Sequence, residues 1–230
     1  MSKKIMFNDK HGLTQAVLDG RKTMTRRIVS EKLLDRWTDY DDFCNSVSVE
    51  NIHTERQYYD EKDFFLNNAP YKLGEVVAIA QSYKNIDNYY NAALYRKTSI
   101  HGQMVDELDL VSFQDIRRWK YFSGDLMNTS GWTNKMFAKA DLMPHHIEIT
   151  DIKVERLQDI SDEDCLKEGI YEDSGDDEFP PSIFYEFEGN KDDGFDTPRE
   201  AFTSLIDKVS GKGTWERNPF VWVYEFKLLD

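Results

Sequence analysis

Cysteine is scarce. Only Cys44 and Cys165 occur in 230 residues, far apart and in no spacing that suits a metal or a redox pair. A disulfide-stapled fold is therefore not expected, and neither is a disulfide-linked partner. Long hydrophobic runs are missing too. Nothing approaches the ~20 apolar residues of a spanning helix. Lys3 and Lys4 lead only to Ile5, Met6 and Phe7 before polar Asn8, Asp9 and Lys10, too short for a signal-peptide core. The expected setting is cytoplasmic and reducing, with no membrane partner. The five histidines, His11, His53, His101, His145 and His146, form no i, i+4 pair and no Cys/His spacing, so no metal or other cofactor is expected. Asp192-Asp193-Gly194 lacks the ligand spacing and the terminal Glu of a calcium loop. A Gly-rich phosphate loop and a Gly-x-Ser-x-Gly elbow are also absent.

Positive charge is in deficit: 29 Lys and Arg against 43 Asp and Glu leave a net charge of −14. Phosphate neutralisation supplies most nonspecific nucleic-acid affinity, so a long duplex-binding face is not expected. The deficit is uneven, however. Residues 171–196 hold ten acids and one base, whereas Arg21, Lys22, Arg26 and Arg27 fall within seven positions. That cluster can serve a single phosphate or nucleotide. What is plentiful is core-forming material: 40% hydrophobic and 13% aromatic residues suffice for one enlarged domain.

The pattern opens with a strand over 4–7, then a helix capped by Asn8 or Asp9, striped by Leu13, Val17 and Leu18, and closed by Gly20 as a left-handed residue. Further strands are expected at 23–29, 75–83, 147–157 and 219–228, the third of these long strands slipping phase near Thr150-Asp151. The last is apolar on both faces and should be interior. A short helix follows Ser161, with Asp164 completing an approximate capping box and Gly169 ending it. A stronger helix begins at Thr197-Pro198, with Glu200 closing its box and Ala201, Phe202, Leu205, Ile206 and Val209 facing inward. Residues 32–70 read as polar, aromatic and irregular, 84–131 as scattered helix, and 171–196 as an acidic loop. These are insertions in a single domain over 1–230. The expected class is α+β, a barrel or mixed sheet rather than a doubly wound fold.

The most informative segment is Gly20-Arg21-Lys22-Thr23-Met24-Thr25-Arg26-Arg27. Clustered cations should lower the pKa of Lys22, and a lysine free base beside a threonine hydroxyl is a workable base–nucleophile pair for acyl transfer. The plainer alternative is a solvated basic turn. Lys22 and Thr25 are three apart, so a straight strand would send them to opposite faces; they converge only if the chain is still turning at 22–24. Glu168 stands near a helix C-terminus, where the dipole disfavours a carboxylate. It is either exposed or held by a cation.

Gly20, Lys22 and Arg27 match the Gly-x-Lys-x-x-x-x-Arg signature of the ASCH domain, and the chain resembles a bacterial and phage subgroup of that family. The likeness extends to Gly74-Glu75 leading into the 76–83 strand, to Trp132-x-x-x-Met136, and to Val154-Glu155-Arg156-Leu157-Gln158-Asp159-Ile160. It closes with Trp215-x-x-Asn218-Pro219-x-Val221-Trp222-Val223. The resemblance implies a PUA-like mixed β-barrel with flanking helices, and nucleoside, nucleotide or RNA as partner. It is also similar to the N4-acetylcytidine amidohydrolases of the same superfamily, whose Lys, Thr and Glu match Lys22, Thr25 and Glu168. That similarity implies an amidohydrolase acting on an N-acylated base, with those three as catalytic residues and Arg26, Arg27 and Gly20 binding substrate or phosphate. The subgroup's Trp-x-Arg-Glu-Thr-Trp strand is here Ala78-Ile79-Ala80-Gln81-Ser82-Tyr83, so its charged pair is replaced by Ala80 and Gln81. Two alternatives stand beside the enzyme. One is a non-catalytic RNA or modified-base binding module; the other is a protein-interaction accessory factor whose acidic segment mimics nucleic-acid charge.

Overall fold

The computed structural model describes residues 3–46, 58, 60–99, 111–173, 183–190 and 194–229. In chain order, seven strands are found among them: β1 (Lys4–Ile5), β2 (Met24–Ile28), β3 (Val76–Ile79), β4 (His146–Arg156), β5 (Tyr171–Asp173), β6 (Phe184–Glu186) and β7 (Phe220–Leu229). The helices are α1 (Leu13–Leu18), α2 (Glu31–Ser46), α3 (Glu61–Asn67), α4 (Tyr83–Ser99), α5 (Phe113–Leu126), α6 (Asp162–Lys167), α7 (Pro198–Ser210) and α8 (Thr214–Arg217). The class is α+β. Five strands form one mixed sheet in the order β1-β3-β4-β7-β2, with β1 parallel to β3 and β2 antiparallel to β7. β7 is interior to that order and buried on both faces from Phe220 to Tyr224, as its two apolar faces require.

The chain divides into two compact units. One comprises Met1–Phe7, Val76–Ile147 and Leu228–Asp230; the other comprises Asn8–Glu75 and Glu148–Lys227. In the first, Ala78, Tyr83, Ile86, Trp119, Ala138 and Met143 form a core, and the Trp119 indole donates to Asp87 at 2.9 Å. The 75–83 strand stops at Ile79, because Tyr83 already opens α4. The scattered helical patterns of 84–131 resolve into α4 and α5, which bury Tyr83 and Trp119 respectively.

In the second unit, four sequence expectations change. The helix after β1 is broken: Asn8 caps a 3₁₀ turn over Asp9–His11, Gly12 turns left-handed, and only then does α1 begin. Within 32–70, the described residues form α2 and α3 where an irregular stretch was expected. Their aromatic residues are the contact between two helices, with Trp37 and Tyr40 of α2 against Phe64 of α3. The acidic 171–196 stretch contains a two-stranded antiparallel sheet, β5 with β6, which a loop assignment missed. Residues 174–182 and 191–193, with Pro180-Pro181 and Asp192-Asp193, lie outside the described residues. Val209, expected inside α7, is exposed, while Ala201, Phe202, Leu205 and Ile206 are buried.

Two anchors position the functional residues. The Trp222 indole N–H donates to the Phe65 carbonyl at 2.9 Å, fastening α3 to β7. Trp222→Phe should therefore cost about 1 kcal/mol in urea unfolding, the usual net worth of one such bond. Below it, Tyr71 packs edge-on against Tyr224 with ring centroids 5.3 Å apart.

Candidate functional site

Gly20 adopts φ +72°, and its N–H closes α1 on the Val17 carbonyl at 3.0 Å. A Cβ there would meet nothing, so the residue is demanded by backbone conformation alone. Gly20 is exposed, and its part is to shape the turn. Gly20→Ala should cost about 1 kcal/mol in a denaturant titration, since an L-residue is strained in that region.

The chain is still turning beyond it. The Lys22 N–H donates to the Ala16 carbonyl at 2.9 Å and the Thr23 N–H to the Lys167 carbonyl at 3.0 Å, and β2 begins only at Met24. This turn sends Lys22 inward, where it is 2% exposed. Its ammonium donates to both the carbonyl and Oε2 of Glu168, each at 2.6 Å. Glu168 is the C-cap of α6 and 5% exposed. Of the two alternatives at that helix end, the cation-held one is found. Ser161 caps the other end by accepting from the Asp164 N–H.

Arg26 completes the network. Its guanidinium donates to Glu155 at 3.2 and 2.7 Å, to Asp164 at 2.9 Å, to Glu168 at 3.3 Å and to the Met24 sulfur at 3.1 Å. A guanidinium has five N–H donors. All five are engaged within the protein, so Arg26 holds the carboxylates in place and has no donor left for phosphate. Sequence reasoning missed Glu155 and saw Asp164 only as a capping residue. Their spacing from Arg26 along the chain carries no pattern that would have joined them.

Thr25 and Arg27 lie on the opposite face of β2 from Arg26. Thr25 is buried directly across from Tyr224 in the β2–β7 register, and Arg27 is across from Trp222. The structure thus brings Lys22, Arg26 and Glu168 together, and no hydrogen bond joins Thr25 to them among the described residues. The Tyr224 hydroxyl is fully buried beside the Tyr71 backbone. Ala80 and Gln81 belong to the other compact unit, where the Gln81 side-chain oxygen is buried without a hydrogen-bond partner among the described residues.

Burial is the chief influence on Lys22, pulling its pKa below the ordinary value. Glu168 opposes this, while Arg27 and Arg26 add to it. The sequence expectation had the direction right and named only the neighbouring cations, which desolvation outweighs. Burial also lowers Arg27, partly offset by Tyr71, Glu168 and Tyr224. The buried Cys165 thiol is pushed up to about 12, mainly by desolvation, and is not a nucleophile near neutrality. Burial works against the Asp164 carboxylate, but bonds and charge from Arg26 and Lys153 outweigh it and hold the group below its usual 3.8. A depressed acid contributes stability that is present above its unfolded value and lost as pH falls below it. Stability should therefore drop on acidification below about pH 4, and Asp164→Asn should flatten that limb in denaturation curves taken across pH.

No group of three or more His, Cys, Asp or Glu among the described residues is arranged to hold a metal. Cys44 and Cys165 are both free and buried, and no described helix is long and apolar enough to cross a membrane. No protein-family model matches the chain, and neither does any curated protein or solved structure.

Proposed function

We propose that the chain binds a nucleoside, nucleotide or RNA base on a PUA-like ASCH framework and hydrolyses an N-acyl amide of that base, as in N4-acetylcytidine. The observation that carries this is the buried pair, with the Lys22 amine 2.6 Å from the Glu168 carboxylate. A lysine whose ammonium form is disfavoured by burial can serve as a base near working pH, and an adjacent carboxylate can hold the proton while it is in transit. Neutral Lys22 takes a proton from water as the water oxygen adds to the acyl carbon. The C–N bond then breaks, and Lys22 returns the proton to the departing amine, releasing carboxylate and free base. Glu168 steadies the ammonium between these steps. Thr25, on the face shared with Arg27, positions the water or the acyl group, and Arg27 offsets the charge that develops on the acyl oxygen. Arg26 acts through Glu168 as a positioning residue.

The test is release of cytidine and acetate from N4-acetylcytidine by the purified chain. Turnover by folded protein supports the proposal; its absence over prolonged incubation at high protein concentration overturns the hydrolytic step. One observation favours a second reading, a modified-base binding module without chemistry. The five donors of Arg26 are satisfied inside the protein, so the network is complete without a substrate. In that case RNA binding would weaken with salt yet survive Lys22→Ala.

A further inference from the structure

Two cavities open on the second compact unit. In the larger, along α7 and α8, Arg199 and Asp207 are committed to the fold. Arg199 donates to the Ile160 and Gln158 carbonyls, and Asp207 accepts from the Gly213 and Trp215 N–H groups. In the smaller, of about 320 Å³, the Nδ1 of His11 lacks a hydrogen-bond partner among the described residues, but it is fully buried against Gly189 and does not open into the space.

On the face of β2 opposite Arg26, several groups converge instead. Thr25 lies directly across from Tyr224, and Arg27 follows it on the same face. The Tyr71 ring meets Tyr224 in a T-shaped contact, with centroids 5.3 Å and planes 78° apart, and the Tyr224 hydroxyl lies beside the Tyr71 backbone. Tyr224 is fully buried on an interior strand, so Tyr71 is held at ring and backbone by an immobile partner. Tyr71 itself is only half-buried, and a ligand can reach it.

Arg27 links this ring to the hydrolytic pair. Burial lowers Arg27, and of the groups that offset it Tyr71 comes first, followed by Glu168 and Tyr224. Arg27 also joins burial in lowering Lys22. The guanidinium therefore stands within electrostatic reach of Tyr71 on one side and of Glu168 and Lys22 on the other. Burial raises the Tyr71 hydroxyl above its ordinary value, with Arg27 opposing and Glu75 adding. The hydroxyl stays protonated near neutrality and takes no part in proton transfer. What Tyr71 offers is a planar π surface beside a threonine hydroxyl and a guanidinium.

We propose that Tyr71 is a specificity-determining residue of this site: the planar base of the substrate stacks on its ring, which aims the acylated edge at Arg27 and the Lys22–Glu168 pair. For the reaction it serves, Tyr71 depends on the hydrolytic reading above. Amides of planar bases are then preferred over flexible aliphatic amides that carry the same acyl group, because only the former have a π face to stack.

The experiment is steady-state hydrolysis of N4-acetylcytidine and of Nε-acetyl-lysine by the full chain, with Tyr71→Leu and Tyr71→Phe beside the wild type. The wild type should favour N4-acetylcytidine by about tenfold or more in kcat/KM. Tyr71→Leu keeps an apolar side chain against Tyr224 and should raise KM for N4-acetylcytidine about tenfold while kcat stays within about threefold. Tyr71→Phe keeps the ring and should match the wild type within about twofold. A merely structural role would instead lower kcat with KM and bring an earlier urea midpoint. An unchanged KM in Tyr71→Leu, a defect shared by Tyr71→Phe, or no preference for the base amide would overturn the assignment. If Tyr71→Leu does not fold, Tyr71→Met removes the ring with a more adaptable side chain and is held to the same outcomes. Equilibrium dialysis of N4-acetylcytidine separates the stacking wall from the reaction. In a chain without turnover, binding that weakens about tenfold in Tyr71→Leu and not in Tyr71→Phe would overturn hydrolysis and keep the wall; no saturable binding would overturn both.

Discussion

Arg26→Met is expected to destabilise the protein by about 3–5 kcal/mol, the range for breaking a buried charge network by removing one partner. The Arg26 side chain is essentially inaccessible, and its partners Glu155, Asp164 and Glu168 are nearly so. Methionine would fill much of the volume and supply none of the five bonds. Three carboxylates would then share Lys22 and the more exposed Lys153 and Lys167. Relief can come only through water entry or proton uptake, and each costs native stability. Since whole domains are stable by roughly 5–15 kcal/mol, a loss of this size should be visible as low soluble yield or an early urea midpoint. Arg26→Lys should recover little, because an ammonium cannot address the three carboxylates in a fork. A loss under about 1 kcal/mol would show that the network contributes geometry and little energy.

Lys22→Arg is expected to remove hydrolysis of N4-acetylcytidine, by about 10²–10⁴-fold or to below detection, while leaving the fold largely intact. Arginine keeps a positive charge beside Glu168 and cannot give up its proton, so it separates a structural cation from a working base. Lys22→Ala should lose turnover too, but it also strips Glu168 of a partner, and part of its effect would be on stability. The pH dependence provides a second readout. Because burial holds Lys22 below its ordinary 10.5, the rate should rise with pH and level off before that value. Linkage gives the matching sign for stability. The unfolded chain binds that proton more tightly, so Lys22 costs stability at neutral pH, and the cost shrinks as pH climbs toward 10.5. A rate that falls as pH rises from 6 to 10 would remove Lys22 as the base.

Much of this arrangement could be read from residues in sequence, where local chemistry governs. Thr197-Pro198 with Glu200 fixed the start of α7, Gly20 fixed the end of α1, and the doubly apolar run from Phe220 fixed an interior strand. The turn at Lys22 is found, while no hydrogen bond joins Thr25 to Lys22 among the described residues. Less visible was everything that depends on distant partners. Nothing near Glu155 announces that it will meet Arg26, because 129 residues separate them. Residues 32–70 looked irregular since their apolar side chains follow no clean stripe; helix α3 is fixed instead by aromatic contacts to α2 and by the indole of Trp222. His11 was noted in sequence only for lacking metal-ligand spacing, because its unpaired nitrogen is a property of the folded environment.

The alternation along β2 bears on folding fidelity. Arg26 and Arg27 are adjacent and point to opposite sides of the strand, one toward three carboxylates and the other toward the Tyr71 and Tyr224 side. A slip of one position against β7 would exchange every side chain between faces. The slip that brings Thr25 to the place of Arg26 would leave Glu155, Asp164 and Glu168 without their guanidinium. An apolar strand of similar length could tolerate the shift at modest cost. Here the mispaired register is penalised by several stranded charges, so the same ionic cluster that surrounds Lys22 also proofreads the sheet in which it sits.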